Sequence, residues 1–267
     1  MTLGPTWDVA LRRARHEPLA HLPDELRANP SEPARIFSPG EVIEEEGEQG
    51  RTLRTLLSGW AAEGRTLQDG RRQIVRLVLP GDHCGISGGV GRPALCQLFA
   101  LTRVRLLDHG PVLEWMGRPS VAEHLSRCTA DLQKAMFEHL LRLGIMAAEQ
   151  RTAHLLLETY QRLAAVGLAH EGSMELPITQ MVFADTLGLS TIHVNRVLQS
   201  LKRSGLIQMG RGRASVTNMR GLASKCGFDL SFLEPYPGLA RGPRLSPSSP
   251  PLQSQVAGSR PTGESVR

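Results

Sequence analysis

Thr191, Ile192, His193, Asn195 and Arg196, five side chains able to touch the edge of a base, fall in one short run of a 267-residue chain. Arginine can donate two parallel hydrogen bonds to guanine, and asparagine can pair in a similar way with adenine; threonine or isoleucine can touch a thymine methyl. The stretch that carries them, LGLSTIHVNRVLQSLKRSGLI over 187–207, also holds an apolar seam of Ile192, Val194, Val197, Leu198 and Leu201. A helix from Thr191 to about Arg203 turns Val194 and Leu198 of that seam inward. It leaves Thr191, Ile192, Asn195 and Arg196 facing outward near its start, with His193 beside them. Thr179, Gln180, Ser190 and Lys202 are placed to meet phosphates, and Arg211 and Arg213 could hold the nucleic-acid backbone from the side.

Local elements must aim these groups. LPITQMVFADTLGLS predicts a first helix over about 179–186 and a turn through Gly188, with Thr179 and Ser190 at the two N-cap positions, where a hydroxyl satisfies free backbone amides. Ala184 lets the two helices approach closely, and Leu189, Val194 and Leu198 pack behind the second. LIQMGRGRASVTN then reads as two short strands joined through GRGR. Two helices joined by a short glycine-containing turn, the second polar and basic on one side, fit a helix-turn-helix. Positive charge is concentrated here: residues 178–226 hold seven Lys or Arg against one acid, Asp185, whereas the whole chain has 31 against 26. The preceding EQRTAHLLLETYQRLAAVG presents Ala153, Leu155, Leu156, Leu157, Tyr160 and Leu163 as a broad apolar helical face that opens this second domain.

Upstream the texture differs. Between residues 36 and 108 short β-like runs alternate with turns, and eleven of the 27 glycines lie from Gly40 to Gly91. That pattern predicts a small antiparallel barrel or roll. The acidic EVIEEEGE within it reads as a solvated strand end, since its carboxylates lack partner ligands nearby. From about 119 to 146 the spacing is helical: Leu125, Leu132, His139 and Met146 recur every seven residues, interleaved with Thr129, Met136 and Leu143. This is an a/d seam, and a second copy of the chain is the partner expected to bury it. The predicted division is an N-terminal extension over 1–30, a β-roll over 31–118, a dimerisation helix over 119–147, a DNA-binding domain over 148–233 and a disordered tail over 234–267. Half of that tail is Pro, Gly or Ser, too little apolar surface to offset the entropy of ordering.

Several classes drop out. Cys84, Cys96, Cys128 and Cys226 are widely spaced and show no CxxC or Cys/His pattern, so buried free thiols are expected and no metal or cofactor is assigned. The amino terminus lacks a signal-peptide core and no run approaches the roughly 18 apolar residues of a membrane span, which points to a reducing cytoplasm and no membrane partner. Nucleophile elbow, phosphate loop and HExxH patterns are absent, so catalysis by His139, His154 or His193 is not expected. The competing class is a ligand-binding sensor whose carboxy-terminal domain serves protein association. It predicts weak, salt-insensitive binding to DNA, whereas a DNA reader requires a steep salt slope.

Taken together, LGLSTIHVNRVLQSLKRSGLI with GRGRASVTN resembles the winged helix-turn-helix of the Crp/Fnr family of bacterial transcription regulators. FSPGEVIEEEGEQG, LLSGWA and VLPGDHCGI resemble the turns of that family's cyclic-nucleotide-binding-like β-roll. The resemblance runs from about residue 35 to 225 and implies an α+β chain: antiparallel β-roll, long dimerisation helix, winged helix-turn-helix. It also implies a homodimer on a twofold-symmetric double-stranded DNA site, with RNA polymerase as a candidate further partner and a signal sensed in the roll. In the nucleotide-binding members a glutamate meets the ribose and an arginine about ten residues later meets the cyclic phosphate. Here the first position is Ile86 and the second Ala94, with Arg92 two residues away. Without the paired charge, tight binding of cyclic AMP is not expected. No cysteine cluster precedes Cys84, so the iron-sulfur centre of the oxygen-sensing branch is not expected. Ile192 stands where many members have glutamate, so their half-site is not assumed, while Arg196 keeps the commonest base-reading arginine position.

Overall fold

A computed structural model describes residues 22–28, 34–49, 52–86 and 92–229. The predicted tail over 234–267 and most of the predicted extension over 1–30 lie outside the described residues.

Helix α1 (Asp24–Ala28) precedes eight strands: β1 (Arg35–Phe37), β2 (Val42–Glu44), β3 (Thr52–Ser58), β4 (Ala61–Thr66), β5 (Arg72–Val78), β6 (His83–Cys84), β7 (Gln97–Ala100) and β8 (Val104–Pro111). They form two four-stranded antiparallel sheets, ordered β1-β8-β3-β6 and β2-β7-β4-β5. Their inward side chains, among them Phe37, Ile43, Leu56, Val78, Leu98, Val104 and Leu106, close one core. The expected roll is present. Gly85 shows why glycine is needed in it: φ is +90°, and an added Cβ would sit 2.0 Å from the carbonyl oxygen of Thr52. Only a residue with no side chain lets β6 approach β3 this closely.

Helices α2 (Val112–Trp115) and α3 (Pro119–Ile145) follow. Leu22 and Leu26 pack with Leu53, Ile86, Val112, Trp115, Val121 and Leu125 in a second core, which seats the start of α3 on the roll. The 27 residues of α3 span about 40 Å at the usual rise per residue. No helix among the described residues is long and apolar enough to cross a membrane.

Packing within the single chain divides the seven-residue seam. Leu125 and Leu132 are buried in the chain's own core, Thr129, His139, Leu143 and Met146 are half-buried, and Met136 is exposed. Met146 already lies past the end of α3, in extended backbone. The exposed apolar side chains of the helix are Met136, Phe137, Leu140, Leu141 and Ile145, with Phe137 at 71% and Ile145 at 79%. Heptad spacing finds an apolar face but not what covers it, and here the roll takes part of the stripe.

Helix α4 (Ala148–Ala165) opens the second unit, followed by β9 (Ala169–His170), β10 (Ser173–Glu175), α5 (Gln180–Leu187), α6 (Thr191–Arg203), β11 (Ile207–Gly210), β12 (Arg213–Val216) and α7 (Met219–Cys226). Its core extends into the roll, joining Leu156, Phe183, Leu187, Val194 and Leu201 to Trp60, Ile74, Leu77 and Phe99. Charges reinforce the joint. Arg142 of α3, 1% exposed, pairs with Glu158 of α4, which also meets Arg162 at 3.6 Å, and Arg162 reaches Asp82 of the roll and the carbonyl of Leu77. Burial alone would raise the Glu158 carboxyl, but Arg142 and then Arg162 outweigh it and hold it below the ordinary carboxylate range.

Glu158→Gln, which leaves Arg142 buried without its counter-charge, is expected to lower stability to urea by about 3–5 kcal/mol. Because the native carboxyl is depressed, its contribution is complete above its ordinary value of 4.5 and disappears as pH falls through the lower folded value. Wild type and variant should therefore converge in acid, which urea titrations at stepped pH will show.

Candidate nucleic-acid interface

The second unit presents its helices by two hydroxyl caps and one left-handed glycine. Thr179 Oγ1 accepts from the Val182 amide at 3.3 Å to start α5, and Ser190 Oγ accepts from the His193 amide at 3.2 Å to start α6. Between them Gly188 takes φ +63° and ψ +39°, while its amide and that of Leu189 both return to the Ala184 carbonyl. This closure is the αL helix end that favours glycine. Ala184 is buried where α5 and α6 meet, and Leu189 is half-buried behind them.

Helix α6 divides cleanly. Val194, Val197, Leu198 and Leu201 are buried; Thr191, Ile192, His193, Asn195 and Arg196 are exposed, Ile192 at 73%. Ile192, which belonged to both the apolar seam and the outward set by sequence, stands in the outward one. Asn195 donates through Nδ2 to Gln180 Oε1 at 3.2 Å, so a residue expected at the bases and one expected at the phosphates are already joined. Among the described residues Arg196 forms no ion pair, and neither do Arg211 and Arg213. Lys202 is half-buried near the far end of α6, whereas Thr179, Gln180 and Ser190 are exposed beside its start.

The hairpin β11–β12 turns on Arg211 and Gly212, at φ +51° and +74°. Two successive positive φ values give the turn whose twist matches paired antiparallel strands. β12 also pairs with β10, giving the sheet order β11-β12-β10-β9. The sheet fixes the hairpin as a wing that holds Arg211 and Arg213, both exposed, to one side of α6.

Two features escaped the sequence. The first ties this unit to the roll: Arg72 of β5 donates through Nε and Nη2 to Asp185 Oδ2 of α5 at 2.9 and 2.8 Å, and Gln73 donates to the Thr186 carbonyl at 3.2 Å. Partners 113 residues apart leave no local signal. The second corrects the reading that the cysteines have no histidine cluster. His83, His124 and Cys128 bring their donor atoms within 4.8 Å of one another. The thiols are free, but only Cys84 and Cys226 are buried, Cys96 and Cys128 being half-buried. His124 and Cys128 at i and i+4 were the one legible hint.

Comparison with known proteins agrees with this architecture. The family model of the Crp-like helix-turn-helix domain matches residues 150–225, and that of the cyclic nucleotide-binding domain matches residues 34–108. The chain is 31% identical over 203 residues to the transcriptional activator protein FnrL of Cereibacter sphaeroides, covering 73% of this chain and 81% of the relative. It is 27% identical over 195 residues to the CRP-like cAMP-activated global transcriptional regulator of Mycobacterium tuberculosis, covering 71% and 86%. The structure of FixK2 from Bradyrhizobium japonicum superposes with a TM-score of 0.63 at 30% identity, over 72% of this chain and 96% of that one.

Gly188→Ala is expected to cost about 1–2 kcal/mol, the strain of a Cβ in left-handed backbone, because an added Cβ would meet only ordinary contacts, the nearest at 3.7 Å from Leu143. Differential scanning calorimetry will read it as a lowered Tm. With both halves of the architecture matched by their domain families and a relative alike over most of its length, this chain belongs to the Crp/Fnr family of transcription regulators.

Proposed function

We propose that the chain works as a cytoplasmic homodimer that places the start of α6 in the major groove at each half of a twofold-symmetric DNA site, without enzymatic chemistry. The observation that carries this is the free face of α6: Arg196, Asn195, His193, Ile192 and Thr191 exposed on a helix whose other side is buried. Ser190, Thr179, Gln180 and Lys202 flank that face as phosphate contacts, and the wing brings Arg211 and Arg213. A second copy is the natural cover for Met136, Phe137, Leu140, Leu141 and Ile145 on α3, five apolar side chains on the helix that leads into the DNA-binding unit. Leu143 and Met146, half-buried, lie at the edge of the same stretch.

Selection of bound fragments from random DNA by the purified chain tests the reading directly. The expected product is a twofold-symmetric site with half-sites about one helical turn apart; an asymmetric product, or none at low salt, overturns it. On the selected site Arg196→Ala should lose about 1–3 kcal/mol while changing random-sequence binding little. Equal loss on both, measured by fluorescence anisotropy, would reassign Arg196 to a phosphate.

The mycobacterial relative is named as cAMP-activated, but the residues here do not favour the same effector. Ile86 is 5% exposed and packed against the start of α3, and Ala94 is 3% exposed, held by backbone hydrogen bonds to Gly47 and Glu48. Neither can supply a carboxylate or guanidinium, and Arg92 is exposed. Calorimetric titration with cyclic AMP is expected to show no submicromolar binding.

A further inference from the structure

We propose that His83, His124 and Cys128 form a binding site for one zinc-class divalent cation, joining the roll to the long helix. Nε2 of His83 lies 2.8 Å from Nε2 of His124, and Cys128 Sγ lies 3.5 Å from the same His124 nitrogen. In a tetrahedral zinc site, with Zn–N near 2.0–2.1 Å and Zn–S near 2.3 Å, neighbouring donors stand about 3.3 Å (N to N) and about 3.5 Å (N to S) apart. The sulfur is already at that separation from His124, and all three donor atoms lie within 4.8 Å of one another. The two imidazoles, now sharing a hydrogen bond, need to part by about half an ångström, within the reach of small side-chain rotations.

The ligands come from elements fixed independently. His83 is held in β6 opposite Thr55, in the close strand approach that Gly85 permits. His124 and Cys128 share one face of α3 at i and i+4. Behind His83 the support runs outward: its Nδ1 is 3.0 Å from Thr55 Oγ1, which is 2.8 Å from His109 Nε2. A histidine oriented through its second ring nitrogen, with the partner itself held, is the usual arrangement behind a metal ligand. The fourth position opens onto a cavity of about 370 Å³ between the roll, α3 and α4, which Asp82 and Asp131 also line. Asp131, three residues beyond Cys128 on the same helix, can supply a carboxylate, or water can take that place.

The donor set is nitrogen and sulfur, which suits zinc-class ions and not magnesium or calcium. Burial, then the neighbouring His124 and His109, lower His83 to about 3, so its ring is neutral and can donate a lone pair. Burial pushes the Cys128 thiol up to about 12, so it keeps its proton until a cation arrives. Binding then forms a sulfur–metal bond, breaks the S–H bond and releases that proton to water. A packed trio of neutral side chains is the plain alternative; it predicts no uptake of metal.

The test uses the full chain, stripped with chelator and titrated with Co²⁺ and Zn²⁺. Wild type is expected to take up one Co²⁺ per chain with a thiolate-to-cobalt charge-transfer band, and Zn²⁺ should raise its Tm. C128S should lose the band, H83Q should weaken Zn²⁺ at least about tenfold, and both should lose the Tm shift. C96S, at a half-buried thiol outside the cluster, should keep band and shift, and far-ultraviolet circular dichroism checks that each variant is folded. Substoichiometric uptake, no charge-transfer band, or equal uptake by wild type and folded C128S overturns the site.

Discussion

The ion-pair chain Arg142–Glu158–Arg162–Asp82 is the constraint on which the arrangement of the molecule depends. It links α3, α4 and the turn of the roll before β6 through side chains that are largely withdrawn from water. Removing charges from water is expensive, and such a chain is tolerated only while every member has its partner. The apolar cores alone would hold these elements together over a range of relative positions, because hydrophobic attraction is non-directional. The guanidinium–carboxylate geometry narrows that range. It ties the far end of α3 to α4 and to the roll, and so fixes where the second unit starts.

Within that frame the DNA-facing helix is made by division of labour along a few residues. Its inner side is apolar and buried, its first turn is capped by Ser190, and the turn before it depends on a backbone conformation natural only to glycine. None of these groups reads a base. They leave Thr191, Asn195 and Arg196 exposed on a rigid rod, so that in the proposed DNA complex less freedom would be lost on contact with bases. The hydrogen bond from Asn195 to Gln180 must open or be shared if Asn195 is to pair with adenine.

Much of this was legible because it is local. Caps, a glycine turn, helical spacing and a two-strand wing are written within about 40 consecutive residues, and the helix over Thr191–Arg203 lies where the spacing put it. The glycine-punctuated roll was legible for the same reason. What was not legible is what covers each face. Leu125 and Leu132 share the spacing of a seam, yet both are buried within one chain, Leu125 against the roll, and the uncovered apolar side chains include Phe137, Leu140, Leu141 and Ile145, off the seven-residue count. His83 meets His124 across 41 residues, and Arg72 meets Asp185 across 113; only the three-dimensional path of the chain brings such groups together.

The Arg72–Asp185 contact makes the β4–β5 hairpin a tiller for the reading head. Because Asp185 belongs to α5, and α5 is clamped to α6 by Gly188 and their shared core, tilting that hairpin swings α6 with it. The roll therefore has a second mechanical hold on the helix-turn-helix, at its flank through Arg72 and Gln73, beside the one through α3 and α4.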